Sequence, residues 1–522
     1  MLLMEAKHIK HYVRDRLLLD IAQISVHQNE RIGLVGKNGS GKTTLLNLIS
    51  GSLLADEGNI SGPSHIELLP QLKRTDTTKS GGEVTQEYIQ KALNSNAALL
   101  LVDEPTTNLD TTHIEWLESK LKEWQGALII VSHDRTFLDA LCSTIWEIKE
   151  GRITEYKGNY SNYAKQKEVE YQQEKLAFEK YQNEKRQLEE AIRAKKEQAQ
   201  RATKRPKNVS NSEARITGVK THFANKQKKL RKTVTVMETR LENLEVVKRS
   251  NKLPPIQMDL PNEESFRNRT VLRVQNISGV VGDRLLWKKT NFQVQGGDKL
   301  AIIGANGSGK TTLVKKIINQ ELGITLSPSV KIGYFAQNLS ILDNEKTILE
   351  NVKESSNQNE TLIRTVLARM HFFDDDVYKS VKVLSGGERV KVALSKVFLS
   401  NVNMLVLDEP TNFLDLESLE SLEALLQEYD GSIIFISHDR QFVENIATRI
   451  LEIHNNELIL FDGTYKEFRD RQPEGERDLQ QDQALLLDTK ISEVLSRLSI
   501  EPSEELEMEF QRLIKEKQSF KK

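Results

Sequence analysis

Apolar residues run along this chain in three rhythms, and each change of rhythm marks a change of architecture. The first is a short unbroken run bounded by turn residues, at 31–35, 99–102 and 128–131 and again at 299–303, 404–407 and 433–436. Runs of this length predict buried strands. Residues 44–48 and 312–318 follow the first run of each series with helical spacing, and 361–370 reads as a further helix. Both halves therefore predict α/β domains built from strand–turn–helix units.

The second rhythm is a heptad. Tyr171, Phe178, Tyr181, Leu188, Ile192 and Ala199 recur on one face of a charged, nearly glycine-free stretch. Phe223, Leu230, Val234, Met237, Leu241 and Leu244 return at heptad spacing beyond a turn near 206–218, where proline, asparagines, serines and a glycine break the pattern. Two long helices packed antiparallel satisfy this spacing. The first arm, of about 45 residues, would be roughly 65 Å long. The third rhythm closes the chain. Leu487, Ile491, Val494 and Leu498 line one helical face, and Leu506, Phe510, Leu513 and Ile514 line another beyond Pro502. The predicted organisation is two α/β domains at 1–159 and 263–470, an antiparallel helical-hairpin linker at 160–262, and a C-terminal α-helical extension at 471–522.

What joins strand to helix in each α/β domain is a glycine-rich turn. GKNGSGKT at 36–43 and GANGSGKT at 304–311 fit G-x-x-x-x-G-K-[ST] in the strand-to-helix context the pattern needs. Gly36, Asn38, Gly39, Ser40 and Gly41, and likewise Gly304, Asn306, Gly307, Ser308 and Gly309, let successive backbone N–H groups face phosphate oxygens at the positive end of a helix. Lys42 and Lys310 then reach the β and γ phosphates, and Thr43 and Thr311 offer hydroxyls to Mg²⁺. Thr44 and Thr312 complete each set of nucleotide-binding candidates. ATP and Mg²⁺ are the expected ligands.

The same landmarks then recur in order. Gln71, SGGE from Ser80, LLLVDEP through Asp103 and Glu104, NLD at 108–110 and SHD around His133 occupy the first half. Gln337, SGGE from Ser385, LVLDEP through Asp408 and Glu409, NFLD at 412–415 and SHD around His438 answer them in the second. Asp103 and Asp408 end apolar strands, where a buried strand sets a carboxylate beside the phosphate loop for a direct or water-mediated Mg²⁺ contact. The segment from Gln337 to Ser385 is far longer than that from Gln71 to Ser80, so the second half is expected to hold a helical subdomain that the first has nearly lost.

Together these motifs resemble those of the ATP-binding cassette ATPases, in both halves. The resemblance implies that Glu104 and Glu409 orient and polarise the attacking water, that His133 and His438 hydrogen-bond the γ-phosphate, and that Gln71 and Gln337 touch Mg²⁺ or water. It also implies that each SGG opens a helix aimed at the nucleotide of the opposite half. Two composite sites follow: Lys42 with Ser385, Gly386 and Gly387, and Lys310 with Ser80, Gly81 and Gly82. An aromatic ring on adenine is expected at Tyr12, which otherwise reads as ordinary strand packing; the second half has Val280 there.

Charge narrows the partners. Among 522 residues, 74 Lys+Arg and 75 Asp+Glu nearly cancel, so net charge predicts no nucleic-acid affinity. Residues 195–232 differ: they are crowded with Lys and Arg, opposed by Glu197 and Glu213 alone. On the tip of a projecting hairpin such a run predicts phosphate-backbone contact, the competing reading being a solvated helix face. No apolar run reaches about eighteen residues and no charged-then-apolar leader opens the chain, so a cytoplasmic protein without a membrane partner is expected. The single cysteine, Cys142, excludes an internal disulfide and a cysteine-based metal cluster.

Two cassettes, no membrane segment and a helical-hairpin linker resemble the ABC-F class of translation factors over essentially the whole chain. TKSGGEVT at 78–85, EGRITEYKGNYSNY at 150–163 and VLSRLSIEPSEELE at 494–507 are similar to the Vga-type antibiotic-resistance proteins of Gram-positive bacteria. The resemblance implies an ATPase that binds the bacterial 70S ribosome, by ribosomal RNA and transfer RNA near the exit site, as a monomer whose two cassettes pair internally. It implies that the hairpin tip is driven toward the peptidyl-transferase centre, protecting the large subunit from lincosamides, streptogramin A compounds and pleuromutilins. Lys204, Arg205, Lys207, Ser212, Arg215, Val219, Lys220 and Thr221 are the candidate tip residues. A housekeeping translation factor is the alternative within the class. An ATPase subunit of a membrane transporter is a remote one, because a basic hairpin between cassettes has no obvious use there.

Overall fold

The computed structural model describes residues 1–63, 65–70, 89–90, 97–107, 109–201, 217–244, 269–336 and 339–471. Gln71, Ser80, Gly81, Gly82, Gln337, Lys204, Arg205, Lys207, Ser212 and Arg215 lie outside these residues, as do the shortened subdomain of the first half and the expected tail helices.

Each half is laid out on two sheets. In the first, β1 (Leu2–Val13) and β2 (Arg16–His27) form an antiparallel hairpin. The chain continues through β3 (Arg31–Gly36) and α1 (Lys42–Ile49) to β4 (Glu57–Ser61), which returns to pair with β1. Next come β5 (Ile66–Leu69), β6 (Leu99–Asp103), α2 (Thr111–Glu123), β7 (Ala127–Val131), α3 (Arg135–Leu141), β8 (Thr144–Lys149) and β9 (Arg152–Lys157). They complete a six-stranded sheet ordered β5-β6-β7-β3-β8-β9, parallel except for the last pair. Every residue of β6 and β7 is buried. Burial on both faces is why LLLVD and ALIIV are unbroken rather than alternating.

At Tyr160 the chain enters α4 (Tyr160–Arg201), 42 residues long, and α5 (Thr217–Glu242) packs back along it. Lys196 meets Glu238 at 2.7 Å and Arg240 meets Glu184 at 2.8 Å, so the later residue on one arm faces the earlier on the other, an antiparallel pair. Ile192, Ala199 and Val234 are buried in the seam, with Leu188, Leu230 and Met237 half-buried beside them. The heptad positions thus find each other. One expectation is corrected: α5 begins at Thr217, inside the expected turn, which puts the backbone of Val219, Lys220 and Thr221 among its opening residues. A single glycine, Gly218, costs a helix only about 1 kcal/mol relative to alanine, too little to hold its neighbours out of it.

The second half repeats the plan with one addition. Strands β10 (Thr270–Val281) and β11 (Arg284–Gln295) form the hairpin, β12 (Lys299–Gly304) leads into α6 (Lys310–Ile318), and β13 (Ile324–Leu326) pairs with β10. After β14 (Ile332–Phe335) come α7 (Ile348–Lys353), α8 (Glu360–Arg369) and α9 (Gly386–Phe398), whose Val352, Ile363, Val366 and Val392 share one core. This is the helical subdomain that the long step to Ser385 predicts. Then follow β15 (Met404–Asp408), α10 (Leu416–Glu428), β16 (Ser432–Ile436), α11 (Arg440–Ile446), β17 (Arg449–His454), β18 (Glu457–Asp462) and α12 (Tyr465–Arg471). The sheet order β14-β15-β16-β12-β17-β18 matches that of the first half.

Val234→Asp sets an unpartnered carboxylate in the hairpin seam, a change expected to loosen the two arms by several kcal/mol. Limited trypsin digestion should then cut the linker faster than in the wild type while thermal unfolding of the cassettes is unchanged. Equal protection in the two proteins would mean that this seam does not hold the arms together.

Candidate functional site

Each phosphate loop leaves the end of a central strand and turns into a helix N-terminus. Gly41, with φ +101°, caps α1, and a methyl group there would come 2.9 Å from Leu19 Cδ2; glycine is required on both counts. Gly309 does the same for α6 with φ +103°, under Trp287. The buried Lys42 Nζ donates to Gly36 O at 2.7 Å and Lys37 O at 3.1 Å, and Lys310 Nζ donates to Gly304 O at 2.8 Å and Ala305 O at 3.1 Å. Each ammonium is folded across its own loop. Burial lowers both lysine pKa values, an unfavourable placement that phosphate oxygens would relieve.

Beside the loops stand paired oxygens. Thr43 Oγ1 donates to Asp103 Oδ2 at 2.7 Å, and Thr311 Oγ1 to Asp408 Oδ1 at 3.2 Å. A hydroxyl and a carboxylate brought together at the end of a strand form the hard-oxygen donor set that Mg²⁺ takes. Next in each chain comes a glutamate in the left-handed region, Glu104 at φ +49° and Glu409 at φ +52°. Their backbone N–H groups donate to Val131 O at 2.9 Å and Ile436 O at 3.0 Å on the neighbouring strand, which holds the strained turn. Both glutamate side chains are only 11 % exposed, and burial pushes each carboxyl up to about 7. His133 Nε2 lies 3.2 Å from Glu104 Oε1, and His438 Nε2 lies 3.3 Å from Glu409 Oε1. Burial, reinforced by Lys42 and Lys310, drives the two imidazoles down to about 3. At neutral pH each site therefore pairs a neutral imidazole with a carboxyl poised to take a proton, an arrangement suited to general-base activation of water.

The two half-sites are completed across the cassette interface. Asn38 N donates to Asp415 Oδ2 at 2.9 Å and Asn38 Nδ2 to Phe413 O at 2.9 Å, while Lys37 pairs with Glu417 at 3.0 Å. A methyl group on Gly387 would come 3.1 Å from Asn38 Nδ2, so the SGG turn of the second cassette abuts the loop of the first. Its Ser385 caps α9, Oγ accepting from Glu388 N at 3.3 Å, with Gly386 exposed in the first turn. Reciprocally, Asn306 N donates to Asp110 Oδ2 at 2.9 Å. A cavity of about 840 Å³ opens between the cassettes, lined by Lys310, Glu409 and His438 from one and Asp110, His113 and Glu104 from the other. Deeper in the interface, Arg135 forms a buried ion pair with Glu423, and Arg440 stands 3.5 Å from Glu118.

Of the other sequence candidates, Gly36, Gly39, Ser40, Thr44, Gly304, Gly307, Ser308 and Thr312 lie in the loops and the first helical turns. Tyr12 is on β1 with its ring exposed and its N–H bonded to Asp56. The interfacial Asp110 and Asp415 and the cavity residue Arg284 carry no role in the sequence reading. NLD at 108–110 with NFLD at 412–415, and the twice-occurring DRLL, are the available signals for them.

Replacing both Glu104 and Glu409 by Gln should stabilise the nucleotide-free protein above pH 7. A carboxyl raised from 4.5 to about 7 carries no penalty below pH 4.5, where it is protonated folded or unfolded, and the full penalty above pH 7. The expected gain is on the order of 1–3 kcal/mol per site at pH 8, shrinking toward zero at pH 5. Melting curves at the two pH values check this; a gain independent of pH would mean that the glutamates are not held neutral by burial.

A family model described as ABC transporter matches residues 19–79 and 287–412, and a second of the same description matches 146–258. Over 521 residues the chain is 33 % identical to the ribosome protection protein VmlR of Bacillus subtilis (strain 168), covering 94 % of this chain and 92 % of VmlR. It is 34 % identical over 472 residues to the erythromycin resistance ATP-binding protein MsrA of Staphylococcus epidermidis, covering 85 % and 96 %. A solved structure of RNase-L Inhibitor shares the fold, with a TM-score of 0.58 over 89 % of this chain and 92 % of that one, at 16 % identity.

Proposed function

This chain belongs to the ABC-F type of ATP-binding cassette ATPases, and from that membership we propose that it uses ATP at two composite sites to work its hairpin linker on the bacterial 70S ribosome, protecting the large subunit from antibiotics. The observation that carries the reading is where the linker is rooted. Tyr160, the first residue of α4, places its hydroxyl 3.4 Å from Glu420 Oε1 on α10 of the opposite cassette, three residues from the Glu423 that pairs with Arg135. The arm thus starts at the interface that nucleotide would open and close.

In each site Lys42 or Lys310 binds the β and γ phosphates, and the opposing Asp415 or Asp110 holds the loop that cradles them. Glu104 or Glu409 takes a proton from the attacking water while its oxygen bonds the γ-phosphorus. The bond to the bridging oxygen breaks, giving ADP and phosphate. His133 or His438, neutral, donates an N–H to the γ-phosphate. Mg²⁺, held by Thr43 with Asp103 or Thr311 with Asp408, would neutralise phosphate charge, with Gln71 and Gln337 contributing to its shell. Tyr12 supplies an adenine-stacking face in the first site only. Lys204, Arg205 and Lys207 contact ribosomal or transfer RNA, and residues from Ser212 through Arg215 to Val219, Lys220 and Thr221 approach the drug site. The protein works as a monomer in the cytoplasm. Support for the ribosomal part comes from two relatives, one named for ribosome protection and one for erythromycin resistance.

Inhibitory concentrations measured in a sensitive Gram-positive host test this reading. A lincosamide, a streptogramin A and a pleuromutilin should each be tolerated at several-fold higher concentration on expression of this chain, and not on expression of Glu104→Gln/Glu409→Gln. Protection from erythromycin alone would replace those drug classes with the macrolides. No protection from any of the four, with soluble protein present, would turn the reading to a housekeeping translation factor.

A further inference from the structure

The aspartates of the two composite sites match in their backbone amide contacts and differ in one side-chain contact within a cassette. In the first, Asp415 Oδ1 accepts the backbone N–H of Ser418 at 3.0 Å and Oδ2 accepts Asn38 N–H at 2.9 Å. In the second, Asp110 Oδ1 accepts the backbone N–H of His113 at 3.0 Å and Oδ2 accepts Asn306 N–H at 2.9 Å. Here, however, the imidazole joins in, with His113 Nδ1 2.6 Å from Asp110 Oδ1. His113 and Ser418 hold the same place in their helices, three residues after the capping aspartate. Ser418 is buried, whereas the His113 side chain is 30 % exposed and lines the cavity that contains Lys310, Glu409 and His438.

This extra bond bears on the site because Asp110 serves two elements at once. Its Oδ1 caps α2, and its Oδ2 holds the phosphate loop of the other cassette. A carboxylate bonded only through a helix cap can still turn about its last torsion and weaken the bond on its other oxygen. A ring donor on Oδ1, 2.6 Å away and charge-assisted, removes that freedom. Asp110 in turn acts electrostatically on Lys310 and on His438, so its position is felt at both phosphate-binding and catalytic groups of the second site.

We propose that His113 is a positioning residue of the second composite site alone, fixing Asp110 on the Asn306 amide so that this loop binds ATP more tightly than it otherwise would, and that it makes the two sites unequal. The proposal rests on the ATPase reading and is independent of the ribosomal one.

The test is ATP hydrolysis by the full chain without ribosomes. Glu104→Gln leaves turnover to the second site, and Glu409→Gln leaves it to the first. Adding His113→Ala, which removes the side-chain donor altogether, should raise KM for ATP about 10-fold or more in the Glu104→Gln background, the loss of one hydrogen bond to a charged group, with kcat little changed. In the Glu409→Gln background KM should not move. His113→Asn, whose amide can donate to the same carboxylate, should restore most of the affinity. An equal rise in both backgrounds would make His113 a general stabiliser of the interface, and no rise in the Glu104→Gln background would remove it from the site; either overturns the proposal.

Discussion

Each phosphate loop is finished by a carboxylate from the opposite cassette, and the working geometry of the molecule follows from that constraint. Asp415 is buried and yet, against that burial, hydrogen bonds from Ser418 and from the Asn38 amide hold its pKa down to about 2. Separating the cassettes would leave this carboxylate without the Asn38 amide and the amide without an acceptor. A buried polar group that loses its partner costs about 1–3 kcal/mol, more when it is charged. Arg135 and Glu423 add a buried ion pair to the same surface, and breaking such a pair is costlier still. Closing the interface and completing the ATP sites are therefore a single structural event.

The strained glutamates belong to the same logic. Each sits at the C-terminal edge of a fully buried strand and bonds the adjacent strand through its amide. A non-glycine residue at positive φ costs of order 1–3 kcal/mol and persists only where its surroundings over-determine it. The parallel sheet does so here, and the outcome is a carboxyl facing the interface beside a neutral imidazole. The chemistry is placed by the most rigid part of each cassette.

Much of this could be read from residues alone, for definite reasons. Parallel strands buried on both faces leave unbroken apolar runs, and a loop that must wrap phosphate leaves glycines at fixed spacing, so β6, β7 and both loops are visible in the sequence. The heptads of α4 and α5 are equally visible, because two helices alone in solvent can bury only one stripe each. The partners across the interface are not. Nothing in the sequence pairs Arg135 with Glu423, since 288 residues separate them. The start of α5 at Thr217 falls inside the turn expected at 206–218, because Gly218, unlike Pro206, keeps the N–H that a helix needs. The imidazole of His113 left no trace at all: a lone histidine near a helix start looks like any other surface residue until the opposite cassette is in place.

The length of α4 has a mechanical meaning. A continuous helix of 42 residues is a stiff rod of roughly 63 Å, clamped at one end where Tyr160, Tyr163 and Lys167 meet the first cassette and Glu420 of the second. Tilting such a rod by one degree at its base sweeps its far end through about 1 Å, by the same length. A tilt of about five degrees at the root is thereby magnified into roughly 5 Å of travel at the far end of the helix, without any hinge along the way.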